Sequence, residues 1–306
     1  MTRRDLLRTG LVAGAGLAVG PVLSIAGAPE EKPLSAPFKL NYAPHPGMFR
    51  EHAGDDIVDQ LKFCADEGFL AWEDNGMKGR SAQEQERQAK VMADRGIRMG
   101  IFVAQGIDWS NPTLTTGRQE FHDKFLAETK ESIEVAKRIN AKWVTTVLGR
   151  LDPNRPFGHQ MASVIDVLRR ACDLCEPTGL VMVIEPLNWR DHPGMYGATS
   201  DILYATCKAV NRPSLKILHD LYHLQVTEGN LIDNMNRCWD EIGYFQIGDN
   251  PGRAEPGSGE VNYKKVFAHI ASRGFTGILG MEHGASEGGK AGERKVITAY
   301  RAVDPN

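Results

Sequence analysis

Leu215-Lys216-Ile217-Leu218-His219-Asp220-Leu221-Tyr222-His223-Leu224-Gln225 is the stretch on which the fold turns. An apolar run of strand length stops abruptly at imidazoles and a carboxylate. Such groups are costly to bury unless they are paired or hold a metal. Other apolar runs end the same way. Leu180-Val181-Met182-Val183-Ile184 ends at Glu185, Ile242 to Ile247 carries Gln246, and Gly277-Ile278-Leu279-Gly280-Met281 ends at Glu282. The continuous run 180–184 suits a parallel strand covered on both faces.

Working outward, strand and helix patterns alternate along the chain. Strands are predicted at 38–43, 69–73, 97–104, 143–148, 180–184, 215–218, 242–247 and 277–281. Helices are predicted at 55–67, 81–93, 118–140, 161–175, 200–210, 231–239, 263–272 and 293–303. Gly68, Gly96 and Gly179 stop three of them, and Ser81 with Glu84 reads as a capping box. Eight strand–helix units predict an α/β fold, a single (β/α)8 TIM barrel over residues 38–306. A doubly wound sheet would use fewer strands and a G-x-G-x-x-G turn after the first, which is absent. The long loops follow strands three, four, five and seven, so the binding face is expected there.

Composition narrows the class. Apolar residues make up 42% and charged residues 25% of the chain, as in globular proteins. A net charge of -3 carries no basic footprint for nucleic acid. Five cysteines (Cys64, Cys172, Cys175, Cys207, Cys238) argue against a disulfide framework, and Cys172-x-x-Cys175 lies in a helical pattern and reads as core. At the N-terminus, Arg3-Arg4 precedes a glycine-rich apolar run from Gly10 to Ile25. Residues 1–28 therefore look like a twin-arginine export signal, with Ala26-Gly27-Ala28 as the cleavage candidate and residues 29–37 as linker. The alternatives are a basic tail or an uncleaved anchor. The expected location is the periplasm or cell envelope, with no stable membrane insertion after processing.

Glu185, Asp220, Gln246 and Glu282 thus end neighbouring strands, and in a barrel they face one mouth. Converging carboxylates repel, and one divalent cation is the simplest remedy. An all-oxygen set suits Mg²⁺ or Mn²⁺ better than Zn²⁺. Glu185 and Glu282 on either side of a bound substrate are also what 1,2-proton transfer through an enediolate requires. His219, His223 and His283 are candidates for holding the carboxylates from behind. His219 faces away from Asp220 on an extended strand, so packing is its expected role; His223 can reach the mouth.

Taken together, Ile184-Glu185-Pro186-Leu187-Asn188 with Pro193-Gly194, His219-Asp220-Leu221-Tyr222-His223-Leu224-Gln225, the stretch Gln246 to Tyr263, and Gly280-Met281-Glu282 resemble the hydroxypyruvate isomerase family of xylose-isomerase-like barrels. The likeness covers roughly residues 38 to 290 and is strongest from 180 onward. It implies that Glu185, Asp220, Gln246 and Glu282 hold the metal and that Glu185 and Glu282 are catalytic. It also implies that His223 and Arg253 bind substrate, a small hydroxy-carbonyl acid or sugar. Related sugar epimerases usually carry His where Gln246 stands. Arg253 fits an acid, since a guanidinium pairs bidentately with a carboxylate. A ketose 3-epimerase, a keto-sugar dehydratase and a non-catalytic exported sugar-binding barrel are the alternatives. A barrel endonuclease would want a histidine-rich zinc cluster and a basic face. The sequence leaves a homo-oligomer open.

Overall fold

A computed structural model describes residues 35–305. The segment 1–28 and most of the linker 29–37 lie outside the described residues. Eight parallel strands are interleaved with helices: β1 (Asn41–Ala43), β2 (Ala71–Trp72), β3 (Arg98–Met99), β4 (Trp143–Thr146), β5 (Val181–Ile184), β6 (Leu215–Asp220), β7 (Ile242–Gln246) and β8 (Ile278–Gly280). Six of them form a continuous sheet in the order β1-β8-β7-β6-β5-β4, and β2 pairs with β3. Backbone bonds just past the strand ends join the two sheets. The Glu73 amide donates to Pro44 O (2.9 Å), and between the ends of β3 and β4 the Ala104 amide donates to Thr145 O and the Thr145 amide to Phe102 O (both 2.9 Å). The barrel is therefore closed, as the alternating pattern predicts.

Alternate residues along the strands fill the barrel interior. Ala43, Ala71, Ile101, Val183, Leu218, Tyr244 and Ile278 form one apolar layer there. A larger cluster lies between the strands and the helices outside them. Because side chains alternate with a period of two, the next inward layer toward the C-terminal ends holds Glu73, Glu185, Asp220, Gln246 and Gly280. Strand register puts Asp220 beside Gln246, and Gln246 beside Gly280.

The helices are α1 (Arg50–Ala53), α2 (Ile57–Asp66), α3 (Ala82–Arg95), α4 (Gln119–Ile139), α5 (Phe157–Cys175), α6 (Ser200–Val210), α7 (Leu221–Thr227), α8 (Leu231–Cys238), α9 (Tyr263–Ser272) and α10 (Gly289–Val303). Two differ from expectation outright: α1 and α7 have no counterpart in the sequence reading. Asp220 ends β6 and caps α7 at once, its Oδ1 accepting from His223 N (2.8 Å), so no loop separates strand from helix. At α3, Ser81 caps as predicted, but Glu84 turns to Arg87 and Gln88 and does not close the reciprocal half of the box. All five cysteines are buried and free, as the core reading requires. Among the described residues, no helix is long and apolar enough to cross a membrane.

Candidate active site

The carboxylates converge as predicted. Glu185 stands one residue past β5 and Asp220 is the last residue of β6, with Asp220 only 1% exposed. Ligand-type atoms of Glu185, Asp220 and His223 lie within 4.8 Å of one another. Asp220 Oδ2 lies 3.5 Å from Arg253 Nη2 but takes no hydrogen bond. Gln246, fully buried at the end of β7, likewise leaves its Oε1 without a partner. Two orphaned acceptors in one buried mouth are what a cation-binding cage presents.

Glu282 lies two residues past β8 with its side chain about a quarter exposed (26%). Arg253 Nη2 donates to its Oε2 at 2.6 Å, and Asn75 Nδ2 donates to its Oε1 at 3.1 Å. Burial lifts Glu282 to about 7, Asp220's charge adds, and Arg253 opposes. Burial pushes Glu185 well above the usual carboxylate range, with the charges of Glu282 and Asp220 adding to it. Both acids are thus displaced toward the pH at which a carboxyl group can accept and return a proton.

Arg253 sits at a left-handed backbone position (φ 47°), with its guanidinium carbon 4.8 Å from the centre of the Tyr222 ring. Burial works to lower its pKa, but Glu282, Asp220 and Glu185 outweigh that and raise it. Its Nε–H is buried and unpartnered. The arginine is therefore a mouth residue and not a loop-to-surface ion pair. Its loop is tied by Asp249, fully buried, whose carboxylate accepts from the backbone amides of Asn250, Gly257, Gly259 and Val261 at 2.8–3.0 Å.

His223 differs from a metal ligand in one decisive respect. The Asn188 backbone amide donates to its Nδ1 (3.1 Å), and a backbone N–H can only donate. Asn188 Nδ2 reaches the same nitrogen at 2.8 Å. Burial lowers His223 to about 4, so the ring is neutral and carries its proton on Nε2. That nitrogen lies 4.0 Å from Asp220 Oδ2 and is a hydrogen-bond donor, not a lone pair for a cation.

The other two histidines do not hold carboxylates. His219 packs against Phe245, 5.5 Å between ring centres, with both nitrogens unpartnered and burial lowering it to about 4. His283 pairs with Tyr300 Oη (2.7 Å) and Gly284 O (2.6 Å), fastening the loop after β8 to α10.

The sequence reading missed two groups. Asn188, fully buried, fixes the His223 tautomer across 35 residues of chain, a pairing with no local signature. Glu73, 1% exposed at the end of β2, accepts from Gln246 Nε2 (2.8 Å) and Tyr244 Oη (2.7 Å). Burial and the charge of Glu282 raise it to about 8, against the pull of those two hydrogen bonds. Its signal was present: Phe69 to Trp72 is an apolar run ending in a carboxylate, like the strands in the second half of the chain.

A barrel of eight parallel strands with acids and an amide at its C-terminal mouth defines the class. The chain belongs to the xylose isomerase-like TIM barrel family, whose sequence profile matches residues 61–302. Hydroxypyruvate isomerase of Escherichia coli is 31% identical over 176 residues, 58% of this chain and 67% of that protein. The 2-oxo-tetronate isomerase of Cupriavidus necator is 29% identical over 249 residues, 80% of this chain and 92% of that one. The crystal structure of AP endonuclease, family 2, from Brucella melitensis superposes with a TM-score of 0.71 at 22% identity, covering 85% of this chain and 96% of that one. At that identity it shows the fold alone. Its curated relatives make the chain an isomerase of this family.

Proposed function

We propose that the chain is a divalent-metal-dependent isomerase of small 3-hydroxy-2-oxo acids, acting on hydroxypyruvate or a near homologue. The observation that carries this reading is the pair of buried, unpartnered acceptors, Asp220 Oδ2 and Gln246 Oε1, beside two glutamates of raised pKa. Glu185, Asp220, Gln246 and Glu282 would hold the ion, an all-oxygen set suited to Mg²⁺ or Mn²⁺. When bound, the cation would polarise the substrate carbonyl and its neighbouring hydroxyl.

The chain's own residues supply the rest. One glutamate takes the proton from the hydroxyl-bearing carbon, and the other delivers a proton to the former carbonyl carbon. The hydroxyl proton passes to the former carbonyl oxygen, so the ketone becomes an aldehyde with no atom gained or lost. His223 Nε2–H donates to a substrate oxygen. The free Nε–H of Arg253 pairs with the substrate carboxylate, and Tyr222 supports the guanidinium from below. The names of two relatives, hydroxypyruvate isomerase and 2-oxo-tetronate isomerase, support an acid substrate.

Proton NMR in D2O tests this directly. With Mg²⁺ present, hydroxypyruvate should lose its carbon-bound proton signal and the aldehyde isomer should appear labelled. Absence of exchange with every 3-hydroxy-2-oxo acid offered would sink the reading, and exchange only at C3 of a ketose would favour an epimerase.

A pH dependence follows from the raised carboxyls. Glu282 and Glu185 ionise in the folded chain above their unfolded values. Without metal, the stability Glu282 contributes is complete below about pH 4.5 and is lost as pH rises through about 7, and that of Glu185 is likewise lost on ionisation above the usual carboxylate range. Cation binding requires the ionised forms and reverses that loss. The difference in Tm between Mn²⁺-saturated and chelator-treated protein should therefore widen from about pH 6 to about pH 8. A constant or narrowing gap would contradict the assigned ligands.

A further inference from the structure

We propose that Glu73 is a positioning residue for the metal site, holding the Gln246 amide so that its carbonyl oxygen faces the mouth. This rests on Gln246 being a ligand, as read above. The two ends of a glutamine amide are nearly equal in shape, so its neighbours decide which end points where. Glu73 Oε1 takes the Gln246 NH2 at 2.8 Å, and Oε2 takes the hydroxyl of Tyr244 at 2.7 Å. Tyr244 and Gln246 are two apart on β7 and so share its inward side. One carboxylate thereby collects both donors, which leaves Gln246 Oε1 buried, unpartnered and beside Asp220 in the strand register.

The barrel makes room for this arrangement. A Cβ on Gly280 would overlap the Glu73 carboxylate, and one on Gly100 would overlap the Tyr244 hydroxyl. The layer beneath is otherwise apolar: Ala43, Ala71, Ile101, Val183, Leu218 and Ile278. A carboxyl group seated on such a floor costs stability that its hydrogen bonds offset only in part. Its bonds run to Tyr244 and to Gln246.

Calorimetric titration of the full chain with Mn²⁺ tests the proposal, with Tm as the check on folding. Glu73→Met keeps the volume and removes the acceptor, and it should weaken Mn²⁺ binding ~10-fold or more. Glu73→Gln can still accept from Gln246 Nε2 and should restore most of the affinity. In a Gln246→Ala background, Glu73→Met should add almost nothing. If Glu73→Met does not fold, Glu73→Ala, whose cavity can take water, replaces it. Wild-type affinity in the truncated variant, or equal weakening with and without Gln246, overturns the proposal. A wild-type chain that binds no Mn²⁺ overturns the metal reading itself, and the proposal with it.

Discussion

Glu185→Gln is expected to lower kcat by ~10³-fold, the middle of the range for removing a general acid or base. The amide keeps the shape and one oxygen acceptor, so the chain should fold and retain weakened Mn²⁺ binding. It cannot accept a proton from carbon. Burial and two neighbouring acids hold Glu185 far above its ordinary pKa, so neutralising it removes repulsion as well as function. The variant should accordingly be at least as stable as wild type at about pH 8 without metal. The readouts are kcat at saturating Mn²⁺, carbon-proton exchange in D2O and thermal unfolding. Turnover within ~10-fold of wild type would remove Glu185 from the proton-transfer pair.

Asp220→Asn should cost more in binding than in folding. Asparagine caps helices about as well as aspartate, so its Oδ1 can keep the bond from His223 N and leave α7 in place. The remaining NH2 then occupies the position of Oδ2 and turns a donor toward the other oxygens. Mn²⁺ affinity should fall by more than the ~10–100-fold typical of losing a group behind a ligand, while Tm of the metal-free protein changes little. Titration calorimetry and circular dichroism separate the two effects. Undiminished affinity would show that Oδ2 is not a ligand atom.

Much of this was legible in the chain because its signals are periodic. Helices α6 and α9 have the bounds that apolar spacing predicts, and the strand-end rule brought Glu185, Asp220, Gln246 and Glu282 to one mouth. Legibility failed where the determinant is not periodic. Strands β2 and β3 are two residues each, shorter than their apolar runs, because barrel pairing continues past them through isolated backbone bonds. Helix α7 went unseen because a single aspartate serves as strand end and cap, so no turn residues mark the boundary. The His223 tautomer depends on Asn188, and the Gln246 orientation depends on Glu73, 173 residues away. Only the closed barrel makes such pairs neighbours.

The knot around Asp249 has a consequence for how Arg253 acts. Four amides converge on that one carboxylate, and the Arg253 backbone amide donates to Asp249 O at 2.8 Å. The guanidinium is thus carried on a stiff bracket, and its ordering entropy is spent when the chain folds, not when an anion arrives. Under the proposed function, a clamp set in advance would measure length: an acid whose carboxylate falls at the bracket's distance from the glutamates would be held for reaction. A longer one would have to bend or break the bonds that tie the loop to Asp249.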